Sequence, residues 1–412
     1  MSKPLHLFEG YGVELEYMIV DRETLSVRPI SDVVLRDADG AIASEIEHGA
    51  LAWSNELTAH VIELKTNGPA KTLDGLADEF QSHVRKINQL LEPAGAALMP
   101  TAMHPLMDPH REMHLWEHDY SPVYESFHRI FDCRGHGWAN LQSVHINLPF
   151  DGDEEFGRLH AAIRLVLPLL PALAASSPVV EGRLTGTMDN RLVHYRTNAK
   201  AIPSISAQVV PEAVFTKAEY EEQIFGRIYR DIAPHDPDGI LQHEWLNARG
   251  AIARFDRGAI EIRVLDIQEF PTADLAICSI IAAVLKNLVT EEWSTLASQK
   301  AAATDNLAEL LVQTTRDAQA AVVSDGGYRG LFGIDGVSSL TAGEIWRTLA
   351  GRLTSADIPD PRIRAAIDNI VEHGTLAQRI TARLERNPQR AAIVAVCREL
   401  MDCLADGRAF IA

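Results

Sequence analysis

Two carboxylates on one face of a strand constrain the fold more than any other feature of this sequence. Residues 12–20, Gly-Val-Glu-Leu-Glu-Tyr-Met-Ile-Val, alternate as a β-strand does and are rich in β-branched and aromatic residues. Side chains two positions apart point the same way, so Glu14 and Glu16 stand about 7 Å apart at their roots. Like charges at that distance repel each other unless a cation lies between them or one is protonated. The pattern therefore predicts a cation-binding face on a sheet.

Further acidic residues follow on later strand-like segments. Glu56 and Glu63 lie in one such run, and Glu261 lies in another. Odd spacing would put Glu56 and Glu63 on opposite faces of one straight strand, although a turn or bulge near Ala59 and His60 could restore a shared face. The alternative is two exposed charges on an edge strand. Carboxylates clustered on rigid strands are typical of Mg²⁺ sites that bind phosphates.

Two other segments place polar groups beside apolar ones. Ser143, His145 and Asn147 share one face of a strand whose other face is apolar. Such a histidine could be a ligand or a hydrogen-bonded structural group. Glu261 and Arg263 project together from their strand, and they could either form a salt bridge or serve a metal-bound phosphate.

A segment after a buried apolar helix is rich in arginine and glycine. Residues 177–198 contain Arg183, Arg191 and Arg196. A guanidinium can form two parallel hydrogen bonds with a carboxylate or a phosphate, so this segment is suited to binding an anionic substrate. Arginines without such a role are also common on protein surfaces.

Composition excludes several classes of function. The chain has 412 residues, of which 46% are hydrophobic and 23% charged, as in a globular protein with a large core. A formal net charge of −19 disfavours binding to nucleic acid or anionic lipid. The lack of an apolar leader and the scattered cysteines predict a cytoplasmic protein with reduced thiols, and neither a disulfide frame nor a zinc site. The cysteines are Cys133, Cys278, Cys397 and Cys403.

Strand-like runs dominate the first part of the chain and helix-like runs the rest. Strands are predicted at 12–20, 55–66, 95–101, 141–149 and 258–267, and helices at 72–92, 120–130, 155–175 and 217–228, with mostly helix after 272. This order predicts an α+β protein with one antiparallel sheet. Neither a GxxxxGK[ST] loop nor a GxGxxG after a strand occurs, so ATP would be held by metal ions and side chains.

Two other clusters invite a functional interpretation. A glycine-rich loop at 326–336 could be functional or a plain surface connector. Histidines four apart could align on a helix face as a second metal feature, or belong to a loop that covers the cleft. These histidines are His110, His114 and His118, with His104 before them.

Taken together, the ordered segments over residues 8–290 resemble the glutamate–cysteine ligase type 2 superfamily of ATP-dependent carboxylate–amine ligases, in its bacterial branch. The resemblance rests on the GVELE strand, the acidic segment, the His145 strand, the SPxxEG loop and the E-x-R strand. It implies a curved antiparallel sheet that forms a cleft with helices outside, as in glutamine synthetase and guanidino kinases. It also implies a catalytic core at 1–290, with a helical region at 291–412 packed on the same domain.

The resemblance assigns roles to individual residues. Arg263 and Glu261 would be catalytic, Arg263 and Lys65 would bind ATP, and Arg191 and Arg196 would bind the acid substrate. The implied reaction uses ATP and Mg²⁺ to convert a carboxylate, such as glutamate, to an acyl phosphate that an amine, such as cysteine, then attacks. The implied Mg²⁺ ligands are Glu14, Glu16, Glu56, Glu63, His145 and Glu261.

Three other functions remain open for the same cleft. The protein could phosphorylate a guanidino group or another nitrogen, act as a metal-dependent amidohydrolase, or bind a ligand without catalysis. A crowded anionic cleft argues against a silent protein, which has no physical need for one. No nucleic-acid or membrane partner is expected, and the helical C-terminal part offers surface for a homo-oligomer.

Overall fold

A central antiparallel β-sheet organises the molecule. The computed structural model describes residues 4–386 and 389–411. Within them the strands are β1 (Gly12–Asp21), β2 (Glu45–His48), β3 (Leu51–Asn55), β4 (Val61–Thr66), β5 (Ala96–Met99), β6 (Ser143–Pro149), β7 (Val179–Val180), β8 (Arg183–Leu184), β9 (Ala251–Arg254), β10 (Ala259–Asp266), β11 (Val322–Val323) and β12 (Leu340–Thr341).

The main sheet has the strand order β2-β3-β4-β1-β6-β10-β9, and β5 pairs with the second half of β1. Every pairing in it is antiparallel. Two small hairpins, β7-β8 and β11-β12, lie apart from this sheet. The predicted α+β fold with one antiparallel sheet and outer helices is confirmed.

Helices cover the sheet and make up most of the C-terminal part of the chain. They are α1 (Leu76–Leu91), α2 (Pro109–Glu112), α3 (Ser121–Phe131), α4 (His136–Ala139), α5 (Gly152–Val166), α6 (Pro171–Ala174), α7 (Asn190–Asn198), α8 (Lys217–Tyr220), α9 (Gly226–Ile232), α10 (Pro271–Val289), α11 (Leu296–Lys300), α12 (Thr304–Asp317), α13 (Gly326–Gly330), α14 (Ala342–Arg352), α15 (Pro361–His373), α16 (Leu376–Glu385) and α17 (Arg390–Asp406).

The two faces of β1 have different surroundings. Val13, Leu15 and Tyr17 are fully buried in a core shared with α1, α5 and α10. The opposite face carries Glu14 and Glu16 and continues into apolar residues of a second core beneath α16 and α17. Because side chains alternate along a strand, one short sequence supplies both a core wall and a charged surface.

Several predicted elements have different boundaries. The predicted strand 55–66 is two strands, β3 and β4, joined by a turn that contains Ala59 and His60. The predicted helix 155–175 is α5 and α6 with a 3₁₀ turn, Leu167–Leu169, between them, because Pro168 and Pro171 interrupt it. Residues 217–228 contain α8, a π-helix at Glu221–Phe225 and the start of α9.

Two features with other candidate roles are built into the fold. Helix α10 is long and apolar enough to cross a membrane, but 78% of the qualifying segment is buried, and the helix packs against α1, α5 and α15 as a core helix does. The glycine-rich loop contains α13, where the Tyr328 hydroxyl donates to the Leu165 carbonyl at 2.6 Å. Buried Arg329 in turn donates to the carbonyls of Val323 and Val337. These bonds support the hypothesis of a structural connector.

Candidate active site

One cleft of about 850 Å³ lies on the charged face of the sheet. Strand register brings its acidic residues together: Glu14 of β1 lies opposite Lys65 of β4 and His145 of β6, and Glu16 lies opposite Glu63. All six predicted metal ligands line the cleft, as do Lys65 and Arg263. The structure therefore places residues that are far apart in the sequence on one surface, while their individual roles stay predictions.

One half of the cleft, formed by Glu14, His145, Glu261 and Arg263, has balanced charges, and we call it the paired side. The His145 Nδ1 atom lies 2.7 Å from Glu14 Oε2, and Asn147 Nδ2 donates to Glu14 Oε1 at 3.0 Å. Arg263 donates to Glu261 Oε1 from Nε at 2.9 Å and from Nη2 at 2.7 Å. Each buried charge on this side therefore has a partner.

The pKa values of Glu14 and His145 on the paired side reflect the contact between these two residues. Burial alone would raise the pKa of Glu14, but the hydrogen bond and charge of His145 outweigh it and lower that pKa to about 2. Burial would lower the pKa of His145, but Glu14, then Glu261 and Glu16, raise it to about 9. Both groups are therefore charged at neutral pH.

The other half, which we call the crowded side, consists of Glu16, Glu56 and Glu63. Carboxylate oxygens of these three residues lie within 4.8 Å of one another. Burial, then the charges of Glu16 and Glu63, hold the pKa of Glu56 well above its usual range. Burial and the Glu14 charge raise the pKa of Glu63 to about 7. Negative charge is thus in excess here, unlike on the paired side.

Few cations offset this excess. Lys65 Nζ lies 3.2 Å from Glu63 Oε1, but it also lies 2.7 Å from Glu45 Oε2, so its charge is shared. Burial would lower the pKa of Lys65, but Glu63 and Glu45 raise it, so Lys65 stays charged. Ser54 Oγ donates to Glu63 at 2.7 Å, and the Ser143 N–H donates to Glu16 at 2.8 Å.

A divalent cation fits the crowded side. Three carboxylates on rigid backbone form the hard, all-oxygen donor set that Mg²⁺ prefers, and the raised pKa values of Glu56 and Glu63 indicate that neutralising charge is lacking. Glu14, Glu63 and His145 form a second group of ligand atoms within 4.8 Å. Both ring nitrogens of His145 are already engaged, since Nε2 lies 3.0 Å from Ser143 Oγ. His145 would have to give up one of these bonds to bind a metal.

The predicted substrate arginines occupy different environments. Residues 190–198 form helix α7, so Arg191 and Arg196, five residues apart, face different sides. Arg191 reaches the cleft wall but is 2% exposed, with its Nε bound to Asp266 Oδ1 at 2.6 Å. Arg196 is exposed and lies outside the residues that line the cleft. Arg196 therefore lies away from the cleft in this structure, and its assignment to the substrate site stays a prediction.

The structure adds an aromatic wall that the sequence did not indicate. Phe127, Trp138 and Trp245 line the cleft, with the Phe127 ring centre 5.2 Å from that of Trp138 and 5.9 Å from that of Trp245. Tyr124 and Tyr195 line it as well. Tyr124 and Phe127 lie three residues apart on α3, but Trp138, Tyr195 and Trp245 come from other elements, so no local pattern in the sequence could have grouped all five.

The structure contradicts one of the two alternatives for the histidines, their alignment on a helix face. Helix α2 ends at Glu112, before two of them. Within the described chain, the groups of side chains that could hold a metal ion contain none of the four. The four are His104, His110, His114 and His118.

Comparisons with known proteins identify relatives of this chain and a family model that matches it. The model of glutamate–cysteine ligase family 2 matches residues 11–399. An uncharacterized protein of Archaeoglobus fulgidus is 30% identical over 400 residues, which cover 97% of this chain and all of that protein. A Rubrobacter xylanophilus protein with the provisional name glutamate–cysteine ligase 2-3 is 28% identical over 288 residues, 68% of this chain and 71% of that protein.

Two solved structures share the fold. The glutamate–cysteine ligase of Francisella tularensis, in complex with AMP, has a TM-score of 0.57 and 12% identity, over 98% of this chain and 90% of that one. The bifunctional glutathione synthetase of Pasteurella multocida has a TM-score of 0.55 and 12% identity, over 97% of this chain. This chain spans 54% of the length of the Pasteurella enzyme. At such identities the likeness concerns the fold alone.

The fold is shared with a known glutamate–cysteine ligase, and the family match indicates that the protein is a carboxylate–amine ligase. The match over residues 11–399 shows which family this is: the chain belongs to glutamate–cysteine ligase family 2.

Proposed function

We propose that this protein is an ATP-dependent ligase that joins a carboxylate to an amine through an acyl phosphate. One observation carries the proposal: acidic groups from β1, β4 and β10, together with Glu56 at the end of β3, face one cleft that also holds Arg263. An acidic surface repels anions unless cations lie between them. It therefore suits a nucleotide that binds as a complex with metal ions.

Glu16, Glu56 and Glu63 would hold Mg²⁺, and Glu14 and Glu261 would extend the site toward the paired side. When bound, Mg²⁺ supplies positive charge that offsets the phosphate oxygens. The carboxylates hold their positions because β1, β4 and β10 are hydrogen-bonded to their neighbours in the sheet. Such preorganisation matters because catalysis of phosphoryl transfer depends mostly on positioning and electrostatics.

Arg263 would contact the phosphoryl group during transfer. A carboxylate oxygen of the acid forms a bond to the γ-phosphorus of ATP while the bond to the bridging oxygen breaks, and ADP leaves with the electron pair. Glu261 holds the Arg263 guanidinium through two hydrogen bonds and leaves its other donors for the phosphoryl oxygens. Lys65 would contribute a second positive charge toward the nucleotide.

The amide forms in a second step. The nitrogen of the amine bonds to the acyl carbon, phosphate leaves, and the nitrogen releases its proton to solvent. The family name suggests glutamate as the acid and cysteine as the amine. We infer that both substrates are small and that the enzyme works in the cytoplasm, where ATP and reduced thiols are available.

The test is to incubate the protein with ATP, Mg²⁺ and pairs drawn from a panel of amino acids and amines. We expect ADP release that depends on both organic substrates, together with a new amide mass. A stable phosphorylated nitrogen without an amide would instead identify a kinase. Amide hydrolysis without nucleotide would identify an amidohydrolase, and ligand binding without turnover would identify a silent protein.

A further inference from the structure

We propose that Arg191 and Asp266 are a positioning pair that orients the Arg263 side chain, and that Arg191 does not bind the substrate directly. The inference rests on the proposed function, in which Arg263 meets the transferred phosphoryl group. It is carried by the backbone around Arg263, which is irregular on both edges of β10.

The backbone of Arg263 lacks normal pairing. Against β6, the register of β10 shifts between Ile262 and Leu265, as in a β-bulge. On the other edge, the Arg263 N–H donates to the Gly250 carbonyl at 2.9 Å, but the Gly250 N–H donates to Val209 at 2.7 Å rather than back to Arg263. The sheet therefore leaves the Arg263 carbonyl without its ladder donor.

Arg191 supplies that donor. Its Nη2 donates to the Arg263 carbonyl at 3.2 Å, while its Nε donates to Asp266 Oδ1 at 2.6 Å. One rigid guanidinium thus connects the main chain of Arg263 with a carboxylate three residues further along β10. A hydrogen bond to the carbonyl of a bulged residue fixes the local backbone and therefore the orientation of the side chain. Without that bond, the backbone and the side chain can adopt other orientations.

Asp266 is fixed independently of Arg191. Its Oδ2 accepts from the Ser176 N–H and from Ser177 Oγ, both at 2.9 Å. Ser177 Oγ also accepts from the Arg191 N–H at 3.1 Å, which connects the helix to the same serine. Asp266 is 0% exposed, so few alternative arrangements are open to the pair.

Asp189 provides a matched control in the same buried region. Its Oδ1 accepts from the Leu192 N–H at 2.8 Å at the start of α7, but its Oδ2 is buried without a hydrogen-bond partner. Burial, then the charge of Asp266, holds the pKa of Asp189 well above its usual range. Asn has the same shape and keeps an oxygen that can accept from the Leu192 N–H, so Asp189→Asn should leave turnover unchanged.

The test is Arg191→Lys, which keeps a charge beside Asp266 but cannot donate in two fixed directions. We expect kcat to fall about 100-fold, as for a misplaced catalytic group, and the KM of the acid substrate to stay within about twofold. The effect should shrink to about threefold in an Arg263→Lys background, because the pair acts through Arg263. A tenfold rise in KM with kcat preserved would make Arg191 a substrate ligand and overturn the inference. Equal losses in both backgrounds would overturn it too.

Asp266→Asn is a second route if the lysine variant does not fold. It keeps an acceptor for the Ser176 N–H but removes the charge that orients Arg191, so we expect the same loss of kcat. The control variant, Asp189→Asn, should keep the wild-type kcat. If the Asp266→Asn variant kept wild-type activity, the positioning role of Arg191 and Asp266 would be contradicted, while the proposed function would still stand. No turnover by the wild-type protein would overturn the proposed function, and this inference with it.

Discussion

The paired and crowded sides of the cleft hold the same kinds of side chain in opposite electrostatic states. Around Glu14 and Glu261, each buried carboxylate touches a cationic partner. Around Glu16, Glu56 and Glu63, carboxylates face one another. Lys65 contacts Glu63, and His145, which already pairs with Glu14, lies 3.7 Å from Glu16. Buried ions without partners are costly, so the crowded side is in an unfavourable electrostatic state that a bound cation would relieve. The difference separates a half whose charges already balance one another from a half whose excess charge a bound cation would balance.

Glu56→Gln should give the largest loss of activity and separate activity from stability. We expect turnover to fall about 10³-fold, which corresponds to about 4 kcal/mol, because one metal ligand loses its charge. The Tm in Mg²⁺-free buffer should not fall, because burial and the charges of Glu16 and Glu63 raise the pKa of Glu56 and so disfavour its charged form in the folded protein. Calorimetry and ADP release measure both quantities. A drop in Tm with turnover retained would assign Glu56 a structural role.

Arg263→Lys should have the reverse signature. Turnover should fall about 100-fold because bidentate contact with the phosphoryl group is lost. The Tm should fall as well, because Glu261 is 3% exposed and loses its forked partner. Thermal melts beside steady-state assays would show this. If turnover fell while the Tm stayed constant, Glu261 would have another sufficient partner, and the comparison between the two sides would fail.

The effect of pH on Mg²⁺ stabilisation should be smaller but diagnostic. The pKa of Glu63 rises from its ordinary value near 4.5 to about 7 in the folded protein. The folded state therefore binds this proton more tightly, so the resulting stability is present below pH 4.5 and is lost as the pH rises to about 7. Mg²⁺ should raise the Tm more at pH 8 than at pH 5.5. Equal gains at both values would place the ion elsewhere.

Arg196→Ala should have the smallest effect. The side chain is exposed on α7 and does not line the cleft, so kcat and KM should stay within about twofold of the wild-type values. A large rise in the KM of the acid would mean that α7 rearranges on substrate binding. Arg183→Ala, at another exposed arginine of the same segment, is the control for a general loss of positive charge.

The strand patterns of the sequence predicted the sheet and much of the cleft because a strand has a simple period of two. The alternation around Glu14, His145 and Glu261 indicated which side chains share a face, and β1, β6 and β10 now lie side by side. The turn at Ala59 and His60 brings Glu56 and Glu63 to one surface, as one of the two weighed alternatives required.

Other features depended on tertiary contacts that local patterns do not encode. Whether Arg191 reaches the cleft or the solvent depends on where α7 begins and on its partner, Asp266, 75 residues away. The aromatic wall combines residues from α3, α4, α7 and the 3₁₀ turn Glu244–Leu246. The extent of the helix after residue 155 was overestimated because apolar periodicity continued through prolines that end it.

The position of α10 in the chain has a consequence for biosynthesis. This apolar helix leaves the ribosome before α15, which covers part of its surface, has been translated. Until then the nascent chain exposes an apolar surface of the kind that chaperones bind. A chain with such an exposed surface aggregates when it is not protected. A premature stop between the two helices would therefore yield an insoluble product rather than a smaller enzyme, even though every acidic residue of the cleft would already have been made.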